Sequence, residues 1–376
     1  MKKIALIGST GSIGRQVLNV CRRNPNKFQI VSLSAGSNEP LFIEQLEEFK
    51  PKVATISKPL SSPIDTDTKL YFGENAFTNA IIEEADIVVV SLVGFKGILA
   101  VVNAINKGKN IALANKESLV VGGELIMRLK KEKGVSITPI DSEHSAIWQA
   151  LGFNYDAKFK KIILTASGGA FRDYTLDSLQ TATAKDALRH PNWSMGDKIT
   201  VDCATLVNKA YEVIEAKWLY NTDFNNIDVI IHRESIIHSM VEFFDNSVIA
   251  QLSYPTMEIP IQLALDNTFR GKSNVESLDF KKLSKLSFEE VDTVRFPCFE
   301  LVVNSAKKGG SYPAVVNGAN DTAVALFLKG KISYPDIYKA LKGAVDNWSG
   351  DYDGTLECLI KANDFAINYV KNLFGE

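Results

Sequence analysis

The sequence predicts an α/β and α+β multidomain fold: an N-terminal parallel sheet, a central α+β region and a C-terminal helical bundle. Three observations predict it. Short β-branched runs alternate with longer helical patterns from Lys3 to about Ile140, a glycine-rich turn follows the first of these runs, and amphipathic helical periodicity fills the last part of the chain. Length and composition agree, since 376 residues suggest two or three domains, and 45% hydrophobic with 23% charged residues is ordinary for a chain with large cores.

The predicted strands run from Ile4 to Ile7, Gln29 to Leu33, Val53 to Ile56, Asp86 to Leu92, Lys109 to Leu113 and Val135 to Ile140. Strand and helix in strict alternation predict a parallel sheet with helices on both faces. The first strand enters Gly8-Ser9-Thr10-Gly11-Ser12-Ile13-Gly14, where glycines let the backbone turn tightly and approach a pyrophosphate at the next helix N-terminus. The spacing is Gly-x-x-Gly-x-x-Gly, so the flanking strand and amphipathic helix carry the Rossmann-like reading more than the string does. After the second strand comes Ser34-Ala35-Gly36-Ser37-Asn38, without the acid that usually meets the ribose hydroxyls of NAD. That favours NADP, although a plain polar loop explains Ser37 and Asn38 as well.

Other classes are disfavoured. A net charge of -2 gives no electrostatic reason to expect nucleic acid or an acidic membrane surface. Met1-Lys2-Lys3 has the charge of a signal peptide, but the apolar run after it stops at Gly8 and reads as a strand. No apolar run is long enough to span a bilayer, so a cytoplasmic protein is expected. Cys21, Cys203, Cys298 and Cys358 lack Cys-x-x-Cys spacing and read as reduced thiols.

Several polar clusters carry potential chemistry. Ala114-Asn115-Lys116-Glu117-Ser118 leaves the carboxyl end of a strand, where open α/β sheets bind ligands; a lysine there would hold an anionic oxygen, or the segment is an ordinary capped helix start. Asp141-Ser142-Glu143 ends another strand, and continued extension would point both carboxylates to one side as hard ligands for Mg²⁺ or Mn²⁺. A capped helix start explains this segment equally well, with His144 as a helix residue rather than a ligand. Ser167-Gly168-Gly169-Ala170-Phe171-Arg172 offers close backbone approach and anion donors, or a glycine turn alone. The run Arg189 to Lys198, with His190, Trp193, Met195 and Gly196, reads as a lid, with core anchoring of Trp193 and Met195 the competing account. One turn separates Asn208 from Glu212, so both can face one site, and Glu212 would complete a carboxylate triad with Asp141 and Glu143, or the two form an ordinary exposed helix pair.

Together these segments resemble the 1-deoxy-D-xylulose 5-phosphate reductoisomerase family along the whole chain. GSTGSIG at Gly8 to Gly14, ANKES at Ala114 to Ser118, DSEHSA at Asp141 to Ala146, SGGAFR at Ser167 to Arg172, RHPNWSMG at Arg189 to Gly196, NKAYEVIEA at Asn208 to Ala216 and NGANDTAVA at Asn317 to Ala325 carry the likeness. The resemblance implies NADPH contacts from Thr10, Gly11, Ser12, Ile13, Gly36, Ser37, Asn38, Asn115, Glu117 and Gly196. It implies a divalent ion, Mg²⁺ or Mn²⁺ with Co²⁺ as a third candidate, on Asp141, Glu143 and Glu212. Lys116, Ser142, Glu143, Ser167, His190, Trp193, Cys203, Asn208, Lys209 and Glu212 would meet a sugar-phosphate substrate, with Met195 in the closing loop and Lys116, Asp141, Glu143, Glu212 and His190 as catalytic residues. Two positions depart from the family pattern. Ser37 stands where relatives often carry a basic residue, and Cys203 where the family usually supplies a phosphate-binding serine; a thiol donates only weakly.

The implied reaction isomerises the substrate by carbon-carbon cleavage and aldol recombination, then reduces the branched aldehyde with NADPH. The implied organisation is a cofactor domain over residues 1–141, a catalytic and connecting domain over 142–266 that supports a homodimer, a linker over 267–292 and a helical domain over 293–376. Strands are expected near Val229 to Ile231, Ile236 to Phe244 and Val248 to Leu252, where the even spacing of His232 and His238 would put them on one strand face. Helices are expected over Ala319 to Leu328, Ile337 to Val345 and Leu356 to Leu373. A simple dehydrogenase would explain the glycine turn but not the paired acids and Glu212, and a non-catalytic NADP sensor would leave Lys116, Ser167 and His190 without a shared task.

Overall fold

The computed structural model describes residues 1–193, 195–266 and 270–376, so Ser194 of the expected lid and the first three residues of the expected linker lie outside the described residues. The chain forms two compact units, each assembled from separated segments: residues 1–118, 126–145 and 256–275 in the first, and 119–125, 146–255 and 276–376 in the second.

In the first unit, β1 (Lys2–Ile7), β2 (Phe28–Ala35), β3 (Val53–Ile56), β4 (Lys69–Phe72), β5 (Ile87–Val90), β6 (Asn110–Leu113) and β7 (Ile137–Pro139) form one sheet. Their order is β4-β3-β2-β1-β5-β6-β7, and every neighbouring pair is parallel. The central strands are apolar on both faces, with Ile4 to Ile7 and Val88 to Val90 fully buried, as a sheet covered by helices on both sides requires. Strand order reverses between β1 and β5, which leaves a crevice at their carboxyl ends.

Strict alternation fails at one place. No helix joins β3 to β4, and β4 went unpredicted because it is a short, half-exposed edge strand that follows a loop rather than a helix. A second departure concerns the expected domain boundaries. The helix Glu258–Asp266 belongs to the first unit, where Ile261, Ala264 and Leu265 are buried in the core with Leu18, Val20 and Ile140. Arg23 to Glu258 and Lys27 to Asp266 bind its ends at 2.7 Å, and Lys2 Nζ donates to the Leu265 carbonyl.

The second unit holds a mixed sheet of β8 (Lys161–Ala166), β9 (Ile227–Ile231), β10 (Ile237–Glu242), β11 (Val248–Leu252) and β12 (Glu289–Glu290), ordered β11-β10-β8-β9-β12. Only the β8–β9 pair is parallel. The last strand lies inside the expected linker, which therefore contributes to both units. Against the sheet lies the helix Val207–Leu219, in which every residue from Val207 to Ala216 is buried. The C-terminal helices Pro297–Lys308, Tyr312–Leu328, Tyr334–Asp346 and Leu356–Phe374 complete the unit, three of them opened by a proline whose missing N–H costs nothing in the first turn.

His232 and His238 do not share a strand. His232 follows β9, its Nε2 accepting from the Ile236 N–H at 3.2 Å while its Nδ1 faces the Ser287 carbonyl at 2.9 Å. His238 lies in β10, 3.0 Å from Ser253 Oγ. No disulfide joins the cysteines among the described residues. No described helix is long and apolar enough to cross a membrane.

Candidate active site

The glycine turn of the first unit is built for close approach. Gly8 has φ +97°, and a Cβ there would lie 2.7 Å from the Ser91 carbonyl oxygen. At Gly14 a Cβ would come within 2.1 Å of the Gly8 carbonyl oxygen, so the helix Ser12–Arg23 can start beside the turn only with glycine. Ser91 Oγ donates to the Ile7 carbonyl at 2.8 Å and ties the ends of β1 and β5 together. Gly11 caps this helix with no side-chain bond, and its first turn holds no acidic residue. A helix start so left open directs backbone N–H groups and partial positive charge at whatever lies before it. Thr10, Gly11, Ser12 and Ile13 all occupy this feature.

At the end of β2, Asn38 Oδ1 accepts from the Leu41 N–H at 3.3 Å, so Asn38 caps the helix Glu39–Phe49. Gly36 and Ser37 are exposed in the turn before it. Asn115 is likewise a cap: its Oδ1 accepts from the Ser118 N–H at 3.0 Å, while Nδ2 donates to the Leu92 and Gly94 carbonyls and to Glu117 Oε2. A Cβ on Gly97 would sit 1.8 Å from Asn115 Oδ1, so this side chain locks the loops after β5 and β6.

Lys116 opens the helix Lys116–Lys133, and its Nζ lies 2.6 Å from Asp141 Oδ2. Of the two readings of Asp141 to Glu143, the helix start occurs and the extension does not. The helix Ser142–Ala150 begins at once, with the Ser145 N–H donating to the Asp141 carbonyl at 2.8 Å, because Asp, Ser and Glu all suit a helix start. Ser142 Oγ donates to Glu143 Oε2. His144, fully buried in this helix, places Nδ1 3.5 Å from Asp141 Oδ2. Burial pushes the Asp141 carboxyl up, but the Lys116 ammonium and His144 outweigh it and hold the group well below the usual carboxylate range.

In the second unit, the helix Val207–Leu219 carries Asn208, Lys209 and Glu212 on one face. Asn208 Nδ2 donates to Glu212 Oε1 at 2.7 Å, and Lys209 Nζ pairs with Glu212 Oε2 and donates to the Thr165 carbonyl. Glu212 is only 1% exposed, so its charge is held by these two neighbours rather than by water.

The loop after β8 and the expected lid meet. Ser167 Oγ lies 3.0 Å from His190 Nε2, and the Gly169 N–H donates to the same oxygen at 3.2 Å. His190 Nδ1 accepts from the N–H groups of Asn192 and Trp193 at 3.2 and 3.0 Å. Burial, then the Arg172 guanidinium, pushes the His190 imidazole down to about 4. The Trp193 ring meets His238 edge-on with centroids 6.1 Å apart, and Met195 is half-buried. Gly196 caps the helix Asp197–Ala204, which carries Cys203. A Cβ on Gly169 would lie 2.3 Å from the Cys203 carbonyl oxygen, which packs this helix against the Ser167 turn.

Sequence reasoning missed the turn Arg233 to Ser235. Asn192 Nδ2 donates to the Arg233 carbonyl and to Ser235 Oγ, both at 2.7 Å, and Arg172 Nη1 donates to the Ser167 and Arg233 carbonyls. The available signal was the polar break His232-Arg233-Glu234-Ser235 between two apolar strands.

Three family models match successive parts of the chain: 1-deoxy-D-xylulose 5-phosphate reductoisomerase over residues 4–123, its C-terminal domain over 137–220, and a further DXP reductoisomerase C-terminal domain over 252–368. The 1-deoxy-D-xylulose 5-phosphate reductoisomerase of Chloroherpeton thalassium is 46% identical over 377 residues, covering 98% of this chain and 97% of that protein. Reductoisomerase 1 of Bacillus thuringiensis subsp. konkukian is 42% identical over 379 residues, covering 99% and 98%. Among solved structures, DOX-P reductoisomerase in complex with NADPH, fosmidomycin and magnesium superposes with a TM-score of 0.93 at 35% identity, covering 100% of this chain and 98% of that one. The Zymomonas mobilis reductoisomerase in complex with NADPH gives a TM-score of 0.91 at 36% identity, with 99% of each chain covered.

Proposed function

Because this chain belongs to the 1-deoxy-D-xylulose 5-phosphate reductoisomerase family, we propose which of its residues carry out the reaction of that family. The reaction is the NADPH-dependent, divalent-metal-dependent isomerisation and reduction of 1-deoxy-D-xylulose 5-phosphate to 2-C-methyl-D-erythritol 4-phosphate, in the non-mevalonate isoprenoid pathway.

The observation that carries the assignment is that two buried carboxylates are each matched by a lysine, Asp141 by Lys116 and Glu212 by Lys209. Such pairs keep the acids ionised away from water, and hard carboxylate oxygens suit Mg²⁺. Asp141, Glu143 and Glu212 would hold the ion; Mn²⁺ or Co²⁺ would suit the same oxygens. Bound there, it would polarise the adjacent ketone and hydroxyl oxygens of the substrate, as NADPH supplies the hydride. Lys116 then orients an anionic oxygen, and Ser142 holds Glu143 in place. Ser167, His190, Asn208 and Lys209 bind the sugar phosphate, Cys203 adds a weak donor, and Trp193 with Met195 excludes water above it.

The cofactor's pyrophosphate rests on the uncapped helix start from Thr10 to Ile13, where the backbone supplies the donors. Gly36, Ser37 and Asn38 meet its adenosine end, Asn115 and Glu117 position the nicotinamide side, and Gly196 closes the set. As functional segments, residues 1–141 serve the cofactor, 142–266 the chemistry apart from the helix Glu258–Asp266, which is built into the core of the first unit, 267–292 the connection and 293–376 support. A cytoplasmic homodimer belongs to the same reading. Its support is the free edge of β11, where Val248 and Ile249 are 50% and 48% exposed and Phe244 beside them 70%.

Incubation with substrate, Mg²⁺ and NADPH should oxidise NADPH, and chelation should stop it. Turnover that survives chelation would instead mark a simple dehydrogenase.

A further inference from the structure

Ser167 Oγ has two lone pairs and one proton, and both lone pairs are accounted for. One accepts from the Gly169 N–H at 3.2 Å, and the other faces His190 Nε2 at 3.0 Å. The direction of this second bond is fixed from the far side of the ring. His190 Nδ1 takes two backbone N–H groups, those of Asn192 and Trp193, so it carries no proton itself. The neutral ring therefore bears its proton on Nε2 and donates it to Ser167. What remains to Ser167 is its own O–H, which can only donate outward.

The two N–H groups stay in place because the Asn192 side chain is bound at two points. Its Nδ2 donates to the Arg233 carbonyl and to Ser235 Oγ, both at 2.7 Å. The Arg233 carbonyl also accepts from Arg172, whose same nitrogen bonds the Ser167 carbonyl at 3.2 Å. One carbonyl thus anchors both the loop bearing His190 and the loop bearing Ser167. The Arg233 side chain is fixed in turn by Asp173 at 2.6 Å and Glu289 at 2.6 Å.

We propose that Asn192 is a positioning residue: by clamping its loop to the Arg233–Ser235 turn it holds His190 in one tautomer and makes Ser167 an obligate donor toward an acceptor-only anionic group. The inference rests on the reading that Ser167 and His190 face the substrate phosphate. The depressed basicity of His190 agrees with it, since a second proton would have to enter between Nδ1 and two N–H groups. An ionised phosphate oxygen accepts and cannot donate, so this polarity selects it over a hydroxyl that needs an acceptor.

The decisive variant is Asn192→Asp, which keeps the shape and removes the donor. In the full chain with NADPH and Mg²⁺, nitrogen NMR of the imidazoles can resolve His190, because the chain has only 4 histidines. Wild type should show His190 with an unprotonated Nδ1 and a protonated Nε2. The variant should show an averaged pair of signals, with KM for the sugar phosphate raised about tenfold and kcat reduced far less, the size of one hydrogen bond to a charged group. Ser235→Ala, which leaves the Arg233 carbonyl in place, should fall between, and unchanged NADPH affinity in both variants shows that they fold. A protonated Nδ1 in wild type, or an Asn192→Asp protein with wild-type imidazole signals and KM, overturns the proposal. Ser167→Ala with wild-type KM would overturn the phosphate reading instead, while the imidazole signals still report on the clamp.

Discussion

The two places proposed above to receive negative charge are made in opposite ways. The turn Gly8 to Gly14 uses backbone alone: a helix start without a capping side chain, placed by glycines that admit no Cβ. The Ser167 and His190 pair uses side chains from separate loops, held by Asn192, Arg172 and the Arg233–Ser235 turn. The first is stiff because its geometry is covalent and local. The second depends on a network in which each bond orients the next, so it can be altered by residues that never touch a ligand.

The sharpest way to separate the chemistry from either anion site is Asp141→Asn. Turnover should fall by about a hundredfold or more, the scale of removing one preorganised charge, while fluorescence titration finds NADPH affinity unchanged. A variant with normal turnover would falsify the assignment of Asp141. Next in size, Gly14→Ala forces a Cβ to within 2.1 Å of the Gly8 carbonyl oxygen. Overpacking of this kind costs about 1–3 kcal/mol, so NADPH should bind on the order of tenfold to a hundredfold more weakly, with the His190 imidazole signals untouched. If the variant binds NADPH normally, the backbone account of the turn is wrong.

The network site should respond to acid where the glycine turn does not. His190 titrates near 4 in the fold against an ordinary 6.5, so below 6.5 the unfolded chain binds more protons than the folded one. Its contribution to stability is therefore intact above pH 6.5 and is lost as the pH falls toward 4. Thermal melts of wild type and His190→Gln across that window should converge at low pH, and parallel curves would remove His190 as the cause. The smallest effect expected is for Cys203→Ser, which exchanges a weak donor for a stronger one. KM for the sugar phosphate should drop by a few-fold, within the roughly 0.5–1.5 kcal/mol of an ordinary hydrogen bond.

The contrast also explains what could be read in advance. Backbone sites announce themselves locally: the strand, the three glycines and the helix after them are contiguous, and six of the seven strands of the first sheet were legible as β-branched runs. The edge strand Lys69–Phe72 was not, because it is short and half-exposed and so lacks the apolar run of its neighbours. At Asp141 the residue types were identified but their conformation was not, since a carboxylate before a helix looks the same as one in an extended strand. The role of Asn192 was hidden for a different reason. Its partners Arg233 and Ser235 stand some forty residues away, and spacing along a chain says nothing about a turn brought back by sheet pairing. The His232 and His238 pair failed similarly, because β9 ends at Ile231, before the first of them.

The helix Glu258–Asp266 has a consequence for how the protein is made. A ribosome delivers the seven strands of the first sheet well before it delivers Ile261, Ala264 and Leu265, which are buried in that unit's core. Ile261 and Leu265 each contribute about 1.5–3 kcal/mol by their burial there, so the two together amount to a sizeable share of a domain's net stability. Until residue 266 emerges, the nascent sheet has an open apolar seam, and the chain between must be synthesised while that seam waits. A fragment ending near residue 145 would keep the seam permanently, so the cofactor half cannot be obtained by cutting the chain where its last strand ends; it has to be taken together with the helix that arrives more than a hundred residues later.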